Sequence, residues 1–368
     1  MRGNIMDSKK IFAICVAVIF VVAAIVVVVV VNNNNNNGGG NPEVVGELSV
    51  SYLKKSGYET QMVADQKNFF ADFGLKVSSV AVTGSGQDAV NLMLSGEVDI
   101  ASTGEGPVAN TIHNYPENTV IVCGTNRSTG GQVWVSSSGT GLVAYDKTKD
   151  NKAEVLNSFK EASSNGTDPV KVGVQQGATT ESEFKSWMKA MGIPFSDFES
   201  TTEGAYVKLV NLKANTLVSA LATGSIDMMA ASQPYPSQAL KQVAGSFKVG
   251  SNEDINSYGL NMYITTKAIY NEKRDLIERF IRGLDKASDY MIDNEEECVT
   301  ICAKVIDPTG DGSGYIDTVQ AEFDIANWGV KWSDEMANTL FKTCQKKSYT
   351  EITEAMCKDL CPFQNIFG

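Results

Sequence analysis

Histidine is nearly missing from this chain: 368 residues carry one, His113. Enzymes built on a histidine base, a Ser-His-Asp triad or a histidine-rich metal site are thereby excluded, unless His113 itself serves. Beside Asn114 and Tyr115 it reads as a polar helix residue. A basic stripe is missing too. Lys and Arg number 31 against 43 Asp and Glu, for a formal charge of −12, so nothing neutralises a phosphate backbone and nucleic acid is excluded as a partner. The seven cysteines include no Cys-x-x-Cys pair. Outside the membrane Cys298, Cys302, Cys344, Cys357 and Cys361 read as disulfide partners, with free thiols or a metal or iron–sulfur site as alternatives. Their spacing does not give the pairing.

What is abundant is local. Ile11 to Val31 is an uncharged run of mostly Val, Ile, Ala and Phe. As a helix it spans roughly 32 Å, enough for a hydrocarbon core of about 30 Å. Arg2, Lys9 and Lys10 precede it, which leaves the N-terminus cytoplasmic and the remainder outside. No small-x-small site closes the run, so residues 1–31 are expected to be an uncleaved anchor, with a cleaved signal as the alternative. An Asn/Gly tether follows over 32–46.

Two further stretches are versions of each other. AVNLMLSGEVDIASTGEGPVAN (89–110) aligns with LVSALATGSIDMMAASQPYPSQ (217–238), placing Gly96 on Gly224 and Asp99 on Asp227. Each reads as an apolar helix stopped by glycine, a carboxylate, a short strand, a small-residue loop and a proline near the next helix start. Two such units imply two similar α/β lobes, with ligands at the strand ends. Further strands are expected at 47–51, 76–82, 171–174, 206–212 and 259–265, and an amphipathic helix at 274–291. Thr83 to Gln87 forms a Gly/Ser turn between strand and helix, a geometry that aims N–H groups at an anion. The loop 307–318 has part of a calcium-loop pattern, but Thr318 replaces the closing glutamate, and an ordinary Asp/Gly turn is the simpler account.

In MVADQKNFFADFGLKV, NLMLSGEVDIASTGEGP, VGVQQGATTESEFKSWMKAMGI and LVSALATGSIDMMAASQPYPSQAL, residues 47–290 resemble solute-binding proteins of the nitrate/sulfonate/taurine class of ABC importers, related to the thiamine-pyrimidine binding proteins. The resemblance implies an α/β, type II periplasmic-binding-protein fold, two lobes joined by two crossover strands, preceded here by one N-terminal transmembrane helix. Lobe one would be 47–135 and 262–368, including a C-terminal helical extension, and lobe two 136–261. Val133–Ser137 and Asn261–Thr265 are the candidate crossovers.

Ligand contacts carried over from the family fall at Tyr58, Gly84, Ser85, Glu105, Asn126 and Arg127 in lobe one. In lobe two they fall at Gln176, Gly177, Thr179, Thr180, Gln233 and Tyr235. Thr179 and Thr180 open a helix and suit an anion, and Arg127 could pair one in bidentate fashion. Glu105 strains a purely anionic ligand; it suits a zwitterion such as taurine or an aminopyrimidine, or else bonds backbone N–H groups of its own helix. The resemblance implies a protein handing a small anionic or zwitterionic solute to ABC permease subunits; the N-terminal run would tether it to the outer face of the cytoplasmic membrane, and a monomer without cofactor or metal is expected. An enzyme on the same fold, of pyrimidine-synthase type, and an extracellular sensing or adhesion domain are the alternatives.

Overall fold

In the computed structural model, which describes residues 43–367, the first strand is enclosed from the start. Gly46–Leu53 (β1) lies between Leu75–Val82 (β2) and Ile100–Gly104 (β3), parallel to both. Strands covered on both faces carry continuous apolar or small residues, as IASTG does in β3. Thr119–Ser128 (β4) then precedes Gln132–Ser136 (β5), Val170–Val174 (β6), Phe195–Ser196 (β7), Val207–Asn211 (β8), Met228–Ser232 (β9) and Phe247–Ser251 (β10). Gly259–Thr266 (β11) and Ala326–Lys331 (β12) complete the strands. They form two six-stranded sheets, ordered β12-β4-β11-β3-β1-β2 and β10-β5-β9-β6-β8-β7. The two sheets therefore share one plan: parallel strands, three in the first sheet (β2, β1, β3) and four in the second (β7, β8, β6, β9), then antiparallel ones that carry the chain toward the other sheet.

The matched stretches are the same element in each sheet. β3 pairs with β1 through Val50 and Ile100, and β9 pairs with β6 through Val172 and Met228. Gly96 (φ +78°) and Gly224 (φ +71°) end the preceding helices in the left-handed conformation that a Cβ disfavours. Three residues on, each aspartate fixes the neighbouring strand. Asp99 Oδ2 accepts from Ser49 N (2.9 Å) and Ser49 Oγ (3.0 Å), and Asp227 Oδ2 accepts from Lys171 N (2.8 Å). Lys273 adds an ion pair to Asp99 at 2.7 Å.

Val133–Ser137 and Asn261–Thr265 overlap ordinary sheet members, β5 between β9 and β10 and β11 between β3 and β4. The chain changes sheet just outside them, at 129–131 and 252–258. These connectors are held by side chains, Thr129 Oγ1 donating to Ser257 O (2.8 Å) and Asn252 Oδ1 accepting from Gly130 N (2.8 Å).

Beyond the long helix Lys267–Asp293, four helices, Glu295–Ile306, Ile316–Ile325, Asp334–Lys346 and Glu354–Asp359, pack onto the first sheet's core. They carry Cys298, Cys302, Cys344 and Cys357, with Cys361 just past the last of them; these five and Cys123 are buried free thiols, and the disulfides expected among the five are not formed. These thiols sit within the first sheet's apolar core, where a thiol packs as a small hydrophobe. The expected anchor over 1–31 and most of the 32–46 tether lie outside the described residues. Among the described residues no helix is long and apolar enough to cross a membrane.

Candidate ligand-binding cleft

Between the two sheets lies a cavity of about 80 Å³ walled by the loops that follow the parallel strands. A buried water needs roughly 10–15 Å³, so the space suits a solute of a few heavy atoms. One wall is the exit of β1 (Lys55 to Tyr58), the turn Gly84–Gly86, and Gly104–Glu105 after β3. Facing it are Gln175 and Ala178 to Thr180 after β6, and Ser232–Gln233 after β9. Three helix N-termini reach this space: Gly86–Leu94, capped by Ser85, Glu105–Asn114, and Thr179–Met191. Their unpaired N–H groups and dipoles favour negative charge.

The walls touch. Gly106 N donates to Thr179 Oγ1 (3.0 Å), Lys55 Nζ to Ser232 Oγ (2.8 Å) and Asn110 Nδ2 to Gly177 O (3.4 Å). These bonds run from the first lobe to the second, so the cleft is closed.

Of the residues expected at the site, Tyr58, Gly84, Ser85, Glu105, Thr179, Thr180 and Gln233 line the cavity. Thr180 Oγ1 donates to Gln132 Oε1, while Gln233 Oε1 accepts from Ser237 Oγ (2.9 Å). The other five do not line it. Asn126 is buried in β4, its Oδ1 accepting from Asn261 N (3.3 Å). Arg127 stacks on the Tyr258 ring at 3.7 Å and donates through Nε to Thr339 Oγ1 (3.3 Å). Gln176 pairs with Asn211, Gly177 N donates to Glu181 Oε2 (2.6 Å), and Tyr235 packs with Leu217 and Ala239. His113 stacks on Tyr349 and binds Glu351, away from the cavity.

Lining residues that sequence reasoning missed include Lys55, Ser128, Gln132, Asn261 and Glu322. Lys55 had a signal, since it follows the first strand directly. Glu322 had a fainter one: it shares a buried helix face with Val319 and Phe323.

The charges here are held in little water. Glu105 is 1% exposed; its Oε2 accepts from Leu260 N (2.9 Å), not from its own helix alone, and its Oε1 has no partner. Burial, reinforced by the charge of Glu183, pushes its carboxyl up to about 7. Glu322 is raised to about 7 by burial against the opposing help of Ser128 and Lys55. Glu59, beneath Tyr58, is raised well above the usual range by burial and by Glu322. Burial lowers Lys55 to about 8, with Glu322 pulling it back up.

A family model described as NMT1-like matches residues 41–306. Among solved structures, the alkanesulfonate-binding protein SsuA from Xanthomonas axonopodis pv. citri bound to MOPS is similar over 86% of this chain and 97% of its own, with a TM-score of 0.65 at 12% identity. The periplasmic nitrate-binding protein NrtA from Synechocystis PCC 6803 covers 85% of this chain and 86% of its own (TM-score 0.62, 14% identity). The Candida albicans CA3427 gene product, described as having the generic periplasmic binding protein fold, covers 85% and 94% (TM-score 0.61, 14% identity). At these identities the likeness is one of fold. No curated protein sequence matches the chain significantly.

Proposed function

The chain belongs to the NMT1-like family, and we propose that it is an extracytoplasmic solute-binding protein of an ABC importer. It captures a small anionic or zwitterionic solute, of the nitrate, sulfonate, taurine or pyrimidine type, and presents it to the permease. It works as a monomer tethered at the outer face of the cytoplasmic membrane and performs no chemistry. The observation that carries this reading is the closed cavity between two lobes, walled by loops from both. A solute touching both walls stabilises the closed form over the open one, because it gains contacts in only one of them. The fold of the sulfonate- and nitrate-binding proteins supports the same assignment.

Thermal denaturation with nitrate, sulfonates, taurine, aminopyrimidines and amino acids tests it. At a hundred times its Kd a true ligand stabilises by about 2.7 kcal/mol, which is readily seen. The shift should shrink in the double variant Thr179→Ala/Thr180→Ala. A melting point indifferent to every compound sinks the assignment.

A further inference from the structure

The region matching the family model ends at residue 306, yet a cavity residue comes from beyond it. Helix Ile316–Ile325 lies in the C-terminal extension and buries Glu322 to 4% exposure against the cleft. Its Oε2 stands 3.4 Å from where a Cβ on Gly131 would sit, beside the connector between the sheets. On another part of the lining Glu105 holds an Oε1 that is buried and without a hydrogen-bond partner. Such an atom carries an unmet desolvation cost until a donor reaches it.

Among the described residues one cation lines the same space, Lys55, and one of its ammonium N–H groups donates to Ser232 Oγ. Arg127, the other candidate cation, is committed to Tyr258 and Thr339 outside the cavity. Two buried acids thus face one ammonium, which is tied to the opposite lobe. A bare anion entering here opposes the ionisation of both buried acids; a solute with nitrogen donors meets acceptors and favours their ionised form.

We propose that the cleft takes a small solute bearing a protonated amine or an N–H-rich ring, whose donors are received by Glu105 and by Glu322, a specificity carboxylate supplied by the C-terminal extension. The remaining polar end of the solute lies against the helix N-termini at Ser85 and Thr179, where backbone N–H groups donate to it. This inference rests on the solute-binding reading and narrows it: nitrogen donors are required, and a sulfonate or nitrate without them is excluded.

Matched probes test it on the full chain in detergent: taurine against ethanesulfonate, 4-aminopyrimidine against 4-methylpyrimidine, and nitrate alone. The amine-bearing member of a pair should raise the melting temperature while its amine-free partner does not. Glu322→Gln should weaken that binding by roughly 10- to 100-fold, the range of a charge-assisted hydrogen bond. Glu322→Asp, which keeps the charge but draws it back, covers the case in which the glutamine variant does not fold. Equal shifts from ethanesulfonate or nitrate overturn the inference and leave the solute-binding reading standing. So does affinity within twofold of wild type in the Glu322 variants. If no probe shifts the melting temperature, the solute-binding reading falls and takes this inference with it.

Discussion

Closure of the cleft hinges on the absence of one side chain, which makes Gly106→Ala a sharp perturbation. Gly106 sits in the first turn of helix Glu105–Asn114, and a Cβ built there would lie 2.8 Å from both Thr179 N and Thr179 Cα. Those are backbone atoms of the opposite lobe and cannot swing aside as a side-chain tip can. Overpacking of this kind costs about 1–3 kcal/mol. Displacing Thr179 also loses the 3.0 Å bond from Gly106 N, worth about 0.5–1.5 kcal/mol. Together the closed form loses roughly 2–4 kcal/mol, and a ligand that binds only that form weakens by roughly 30- to 1000-fold. The lobe itself should not suffer, because alanine is the better helix former by up to about 1 kcal/mol. The assay is calorimetric titration with whichever panel compound stabilises the wild type, alongside the ligand-free melting point and the radius of gyration from X-ray scattering. Affinity should fall, the ligand-free melting point should hold, and the variant should stay more open at ligand concentrations that close the wild type. Unchanged affinity would refute the claim that these two helix starts meet when the solute is held.

Two further outcomes follow from charges already located. Glu105 and Glu322 are each raised from 4.5 to about 7, so the folded protein keeps protons that the unfolded chain releases over that range. Stability therefore falls as pH rises from about 4.5 to 7, by roughly 3 kcal/mol for either carboxylate alone, and levels off above. Urea titrations of the ligand-free protein at pH 5 and pH 8 should show the loss, and Glu105→Gln should reduce it; an identical slope in the variant counts against a buried, poorly partnered acid. Asp99→Ala should destabilise more than Asp227→Ala, since Asp99 holds Ser49 and Lys273 while Asp227 holds only the Lys171 N–H by its side chain. With charged hydrogen bonds at about 1.5–3 kcal/mol, Asp99→Ala should lose roughly 3 kcal/mol in urea denaturation. An equal or larger loss at Asp227 contradicts that ranking.

The plan of the fold was legible because its signals are local. A glycine stop, an aspartate three residues later and a short apolar strand lie within a dozen residues of each other, and both copies fold as such. The strand-end loops were legible for the same reason, and they supply Tyr58, Ser85, Glu105, Thr179 and Gln233 to the cavity. Misplacement came where direction depends on partners distant in sequence. Arg127 follows the strand into the right neighbourhood, but Tyr258 and Thr339 capture its guanidinium. Cysteine spacing suggested bridges, yet the thiols lie free in one apolar core, Cys344 and Cys357 meeting through a hydrogen bond and not a disulfide. Glu322 lies 212 residues beyond the end of the organising stretch 89–110 on its own lobe, and only packing of the extension brings it to the cleft.

That extension also alters what opening the cleft involves. Two hinged lobes are ordinarily held shut by the ligand and by contacts at the mouth. Here the extension reaches the second lobe at two places of unequal strength. Near Tyr315 it offers Tyr315 Oη to Gln238 (3.2 Å) and Asp317 to Lys241 (3.3 Å), the latter pair well exposed and worth under about 1 kcal/mol. From helix Asp334–Lys346, Lys346 Nζ meets Glu183 Oε1 at 2.6 Å and Ser257 Oγ at 2.7 Å. Glu183 is fully buried, so deleting Lys346 strands a charge, a cost of about 3–5 kcal/mol. The second contact can part only if water reaches Glu183 as it opens; the first parts freely. Opening should therefore begin along helix Tyr235–Gln242 rather than along Thr179–Met191. Hydrogen exchange of the ligand-free protein reads this directly, with weaker protection expected in the former helix. Lys346→Met should erase the difference, because the stronger of the two contacts is then gone.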